Sequence, residues 1–342
     1  MDISIPYYED MSRISNSNIG QYLKRGPMYL RNMLDGKEEG LSAKFLEKGT
    51  MIHMYLLQPD EFWKNYIILD FTVPKSKQQK DALDYYSKAI IRDPFGSQDE
   101  LKLEAYKSAY SNSKSNDKCL EEMNSFIDTY QEYLKYLTET ENNKAVISFS
   151  DLNMLKTIKS NIENHKMASI LLTDTNTCEC HNEFHINWEV DKEDIKVHCK
   201  SLLDRVIFDH ESKVVTLIDL KTTMNVYDFA HSVEEFDYYR QVAYYLLALT
   251  WYMINVLKVN PDEYDFKAYI IAIQNNGSFE VRVFDMNDEQ KLLERKNIIS
   301  EVLQRISYHQ QTGDWKHTPD YYKNDGIESL YDIGLSYSSA TR

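Results

Sequence analysis

The stretch from Ser201 to Thr223, SLLDRVIFDHESKVVTLIDLKTT, decides the fold: two apolar, β-branched runs flank a polar turn, the pattern of an antiparallel hairpin. Asp204 lies on the first strand, and Asp219 and Lys221 on the second. Strand side chains alternate between faces, so Asp219 and Lys221 share one. A turn centred on Glu211 and Ser212 sets Asp204 directly across from Asp219, whereas a slip of one residue would turn Asp204 to the other side. Two carboxylates this close repel, and neither stays ionised in a half-buried place without a cation between them. A divalent metal is the economical explanation, with Lys221 beside it to hold a water or steady a developing charge. The short pattern acid-x-Lys recurs by chance in a chain with 54 acidic residues, and a solvated edge hairpin would carry the same letters. The neighbouring segments decide between the two.

Upstream, Glu183–Val190 reads EFHINWEV, with Phe184, Ile186, Trp188 and Val190 alternating against polar residues as in a half-buried strand. A turn at Asp191–Asp194 returns the chain along Ile195–Phe208. That pairing puts Glu183 on the face of Asp204, one to two residues away, as a further ligand, a water-holder, or a surface glutamate at a strand start. Downstream, a long helix is expected from about Val233 to Leu257. It is apolar nearly all round and therefore buried. Gln241 and Tyr245 are four apart on it and can point into one groove, where a buried amide needs partners. A strand Lys267–Gln274, an Asn-Asn-Gly-Ser turn, a strand Phe279–Met286 and a closing helix from about Asn287 to Gln311 follow.

Nearer the start, residues 15–34 open with an N-cap run and place Ile19, Tyr22 and Leu23 at helical spacing before Gly26-Pro27 breaks the helix. Lys24, Arg25 and Arg31 form a basic patch there, either a solvated helix face or a phosphate contact at a site mouth. Residues 42–58 form a second helix ended by Pro59, with Gly49 one turn from His53 so that another backbone could approach closely. Residues 74–143 read as several amphipathic helices around a loop at Ser111–Asp117, an insertion whose tyrosines serve mainly as packing. A helix over 149–172 with an N-cap at Ser150 precedes the strands, and 317–342 reads as a poorly ordered tail.

A chain of 342 residues with 42% hydrophobic content can bury a sizeable core. A net charge of −15 counts against non-specific coating of nucleic acid, so polyanion binding would depend on a few placed cations and bound metal. Four cysteines, unevenly spaced, are expected as reduced thiols. No charge-free apolar run approaches 18 residues and no signal peptide is evident, so a soluble, cytoplasmic protein that does not engage a membrane is expected.

Taken together, GTMIH at 49–53, Asp204, IDLKT at 218–222 and QVAYY at 241–245 resemble, in that order, the motifs of the PD-(D/E)xK nucleases. Within them, the SNSNIGQYLKRGPMYL opening, GTMIHMYLLQPDEF and the GDW near 315 look most like the RecB-like and RecE-like phage exonucleases of the exodeoxyribonuclease VIII type. The resemblance implies an α/β (α+β type) restriction-endonuclease-like core, a mixed sheet flanked by helices, in one nuclease domain. Its core would be 10–73 and 145–316, with the helical insertion between. It implies that His53, Asp204, Asp219 and the Leu220 carbonyl bind Mg²⁺ or Mn²⁺, that Lys221 orients and helps deprotonate water, and that Gln241 and Tyr245 position the scissile strand. The cysteine pattern of the iron-sulfur branch is missing, so no cluster is expected. The implied activity is a DNA exonuclease, 5′ to 3′ on duplex ends, host-cytoplasmic if phage-encoded. Single strands would be left for a recombinase or annealing protein, with a homo-oligomer by analogy. A structure-specific or flap endonuclease, or a DNA-end-binding protein without turnover, are the alternatives.

Overall fold

Ser15 and Asn18 open the first helix by capping each other. The Asn18 N–H donates to the Ser15 hydroxyl, and the Asn18 side-chain oxygen accepts the Ser15 N–H at 2.9 Å. Helix α1 (Asn16–Arg25) ends at Gly26, whose φ of 82° suits glycine, and Pro27 begins α2 (Pro27–Leu34). The computed structural model describes residues 6–38, 46–68, 71–111, 114–139, 145–192 and 195–328. The start of the helix expected over 42–58, part of the Asp191–Asp194 turn and of the Ser111–Asp117 loop, and 329–342 of the expected tail lie outside them. The described part of that helix is α3 (Leu46–Leu57).

The chain divides into two compact units, Asp60–Asn153 and the remainder. The first is broader than the insertion read from composition. It contains most of α4 (Pro59–Asn65), then β1 (Tyr66–Ile68), α5 (Lys77–Arg92), α6 (Gln98–Ala109), α7 (Asn116–Thr129), α8 (Gln131–Glu139) and β2 (Ala145–Ile147), which pairs in parallel with β1. Leu83, Tyr86, Tyr106 and Met123 form its own core, with Tyr106 stacked on Tyr110 at 4.6 Å. The tyrosines of this unit are packing residues first.

The segment expected as one helix over 149–172 is two, α9 (Phe149–Asn164) and α10 (Lys166–Leu172). His165 breaks it, because its Nδ1 accepts from the Met167 and Ala168 N–H groups as a new N-cap. The first cap is Ser148, not Ser150: its hydroxyl takes the Asp151 N–H at 3.1 Å.

The other unit is built on a five-stranded mixed sheet in the order β3 (Glu179–Lys192), β4 (Ile195–Asp209), β5 (Val214–Thr223), β6 (Asp265–Gln274), β7 (Val281–Asp285). Neighbours are antiparallel except β5 and β6, which run parallel and so need a crossover. That crossover carries α11 (Phe229–Glu235) and α12 (Tyr238–Tyr252), one helix in the sequence reading. The break falls at Asp237, left-handed at φ 51°, where the carboxylate meets Arg240 and Arg295. The apolar run beyond Tyr252 widens into a π turn, Met253–Leu257. Helix α13 (Glu289–Thr312) is capped by Asp288, and α14 (Pro319–Lys323) follows. Helix α12 packs on β3, β4 and α13, α3 on β4 and β5, and α10 on β7, so the sheet is flanked by helices. Val206, Phe208, Val215 and Leu217 lie in the core with Ala243 and Leu249 of α12. Among the described residues, no helix is long and apolar enough to cross a membrane.

Two registers fix the site. Between β4 and β5 the last pair is Arg205 with Ile218, the register of a turn centred on Glu211-Ser212, and extending that register by one residue sets Asp204 toward Asp219. Between β3 and β4, Asn182 faces Arg205 and Phe184 faces Leu203, which puts Glu183 directly opposite Asp204. The sequence reading had set Glu183 one to two residues off; the hairpin closes one residue later than the expected turn, and the register moves with it.

Candidate active site

The site forms where the ladder between β4 and β5 stops. Beyond Arg205 and Ile218 the strands exchange no further backbone pair, and the Leu220 N–H donates instead to Asp204 Oδ2 at 2.7 Å. Helix α3 brings His53 to the same place, with Nδ1 3.6 Å from Asp204 Oδ2. Glu183 completes the group: one ligand atom from each of His53, Glu183 and Asp204 lie within 4.8 Å of one another. Glu183 has a φ of 49°, rare for a residue with a side chain, and such strain is concentrated at sites where function holds it.

Asp219 stands alongside, 2% exposed. Its Oδ1 accepts from Gln241 Nε2 at 3.1 Å, and that amide also donates to the Tyr245 hydroxyl at 3.0 Å. Lys221 Nζ lies 2.5 Å from Asp219 Oδ2, a buried ion pair. Burial pushes the Asp219 carboxyl up; Lys221 opposes this and Asp204 adds to it. Burial, then the charges of Asp204 and Asp219, raise Glu183 to about 7. Burial would lower the Lys221 ammonium, yet the pull of Asp219 and Asp204 carries it above its ordinary value. Burial lowers His53 despite Asp204, leaving its imidazole neutral near pH 7.

This donor set fits a hard divalent cation. Ligand atoms about 2.1 to 2.2 Å from one ion stand at most ~4.4 Å apart, close to the spread found here. Carboxylates suit Mg²⁺ and Mn²⁺, a neutral imidazole favours the transition metal, and no thiolate takes part. Glu183, Asp204 and Asp219 are three acids whose repulsion a cation would relieve.

The residues singled out in the sequence do not all meet. His53, Glu183, Asp204, Asp219, Leu220, Lys221, Gln241 and Tyr245 converge. Lys24, Arg25 and Arg31 are engaged elsewhere: Arg31 pairs with Asp35 at 2.6 Å, Arg25 lies over the Tyr29 ring at 4.4 Å, and Lys24 is exposed on the last turn of α1. A Cβ at Gly49 would meet only the Thr222 hydroxyl, at an ordinary 3.4 Å, so no backbone presses there. Several supporting groups escaped the sequence reading. Arg240, buried, binds Asp237 and both oxygens of Asn16, and a Cβ at Gly20 would come within 2.8 Å of its Nη2. Arg205, buried beside Asp204, binds the Leu171 and Thr173 carbonyls, Asn182 and Asp174. Tyr238 lies under the Lys221 ammonium at 5.1 Å. Spacing carries no signal for most of these, since apart from the Asp237–Arg240 pair each contact joins segments remote in sequence.

Sheet and cluster together define a class: a mixed α/β protein with a carboxylate-imidazole site beside a lysine. No protein-family model matches the chain, and no curated protein matches it. Among solved structures, it is similar to a "putative exonuclease" from Eubacterium rectale, at 12% identity over 97% of each chain and a TM-score of 0.46. It is also similar to the protein SSO0001, at 11% identity over 74% of this chain and 85% of that one, with a TM-score of 0.27. At such values neither likeness speaks to what the chain does.

Proposed function

We propose that this chain is a metal-dependent nuclease that hydrolyses phosphodiester bonds of DNA, acting as a 5′ to 3′ exonuclease on duplex ends. The observation that carries the reading is the convergence of His53, Glu183 and Asp204 within one ion's reach, with the Asp219–Lys221 pair alongside. A divalent cation held by these side chains would activate water and neutralise charge on the phosphate. Lys221, kept charged by its acid neighbours, donates to the attacking water and orients it rather than taking its proton. Asp219 anchors both Lys221 and Gln241, and Gln241 with Tyr245 offers polar groups to the scissile strand. In the net reaction a water oxygen joins phosphorus as the bond to the 3′ oxygen breaks, and one water proton ends on that oxygen, giving a 3′-hydroxyl and a 5′-phosphate. Single strands left in this way suit a recombinase or annealing partner.

The test uses labelled linear duplex with Mg²⁺ or Mn²⁺. Progressive shortening from the 5′ end is expected, and Asp219→Ala or Lys221→Ala should abolish it while the circular dichroism spectrum is kept. Cutting of closed circular DNA would turn the reading to an endonuclease. Intact substrate with both metals would end the hydrolytic reading.

A further inference from the structure

Two outward-facing rings are each tied to the acid cluster through a second ring, Tyr8 toward the Glu183 strand and Phe236 toward Lys221. Tyr8 is 78% exposed and sits edge-on to Tyr7 at 5.2 Å, while Tyr7 sits edge-on to His185, two residues along β3 from Glu183, at 5.4 Å. The segment is pinned: Lys200 Nζ donates to the Tyr7 and Asp10 carbonyls at 2.6 Å each and lies 4.7 Å from the Tyr7 ring. Partial enclosure, then the negative charges of Glu183 and Asp204, raise the Tyr8 phenol, so its hydroxyl feels the cluster. At the Lys221 end, Phe236 is 49% exposed and stacks on Tyr238 at 5.8 Å, and Tyr238 underlies the Lys221 ammonium.

Exposed rings held in place beside a candidate site offer faces on which a planar ligand can stack. The chemistry of the surroundings narrows the contact. The chain carries −15 and the cluster concentrates acids, so a polyanion is poorly held here by its backbone alone. Nucleobases are uncharged, present a π face, and stack on aromatic side chains whatever their sequence. We propose that Tyr8 and Phe236 are positioning residues on which unpaired bases stack, one on each side of the phosphodiester brought to the cluster, so that the site takes a single-stranded or frayed DNA end. This rests on the nuclease reading.

The experiment titrates a short single strand, carrying 2-aminopurine at its last two positions, into the full chain with Ca²⁺ in place of Mg²⁺. Quenching gives the affinity. Tyr8→Ala and Phe236→Ala should each weaken binding roughly tenfold, while Tyr8→Phe and Phe236→Tyr stay within about twofold of the parent. Both positions are exposed, and unchanged thermal midpoints would confirm that the variants fold. Unchanged affinity in an alanine variant, or an aromatic replacement no better than alanine, overturns the assignment for that ring. Cleavage by the parent chain in Mg²⁺ and Mn²⁺ is measured separately: its absence with quenching intact sinks the hydrolytic reading and leaves the stacking surface standing.

Discussion

Glu183 is the residue where geometry and protonation are most tightly joined. Its carboxyl is raised to about 7 by burial and by Asp204 and Asp219. Between an ordinary carboxylate value and 7, the folded state holds a proton that the unfolded state has lost, so stability contributed by this group is greatest in acid and falls as pH rises. The metal-free protein should therefore lose thermal stability from pH 5 to 8 more steeply than Glu183→Gln does, and scanning calorimetry would show it. Because a cation displaces that proton, its binding should release more protons at pH 6 than at pH 8.5. Calorimetric titration in two buffers of different ionisation heat reads the difference, and equal release at both pH values would count against Glu183 as a ligand. His53 gives a second residue-level expectation. Its neutral imidazole favours a transition metal. His53→Ala should weaken Mn²⁺ binding by at least ~10-fold and Mg²⁺ binding by less.

At the scale of elements, the site depends on how α12 is seated, because α12 carries Gln241 and Tyr245. Arg240, one residue before Gln241, joins the helix to α1 through Asn16 and to its own N-terminus through Asp237, which Arg295 of α13 also holds at 2.7 Å. The SNSNIG opening therefore reads as a clamp in the structure: Ser15 and Asn18 cap α1, Asn16 receives Arg240, and Gly20 leaves room for the guanidinium. Removing one member of such a buried network costs about 3 kcal/mol. Arg240→Met should lower the thermal midpoint accordingly and, by loosening Gln241, reduce turnover more than it raises KM. A midpoint equal to that of the parent would show the clamp to be idle. The strand elements were readable from alternation, whereas the breaks at His165 and Asp237 were not. Each is made by a side chain, His165 capping a new helix and Asp237 meeting Arg240 and the distant Arg295, which periodicity does not record.

For the whole molecule, charge sets the mode of association. A chain at −15, with 54 acidic against 39 basic residues, repels a polyanion overall, so phosphate contacts should contribute little to binding. Binding to single strands should then fall off with salt no more steeply than a log–log slope of about −2, as for two or three phosphate contacts. Fluorescence titration between 50 and 300 mM salt would measure it. A much steeper slope would point instead to an extended basic groove.

The local sequence determined the elements and the placing of acids upon them. Period-two alternation, the polar turn at Glu211-Ser212 and the Gly26-Pro27 break follow from backbone sterics and side-chain burial acting over a few residues. Those forces suffice to put Asp204 across from Asp219 and Gln241 beside Tyr245. What only tertiary packing decided is which remote segments close on that pair. His53 arrives on a helix about 150 positions earlier in the chain, Glu183 is set opposite Asp204 by where its hairpin closes, and Tyr8, Arg205 and Arg240 take their places through contacts with no periodic trace. Desolvation then raises Glu183 and lowers His53, and desolvation is a property of the assembled site, not of any segment read alone.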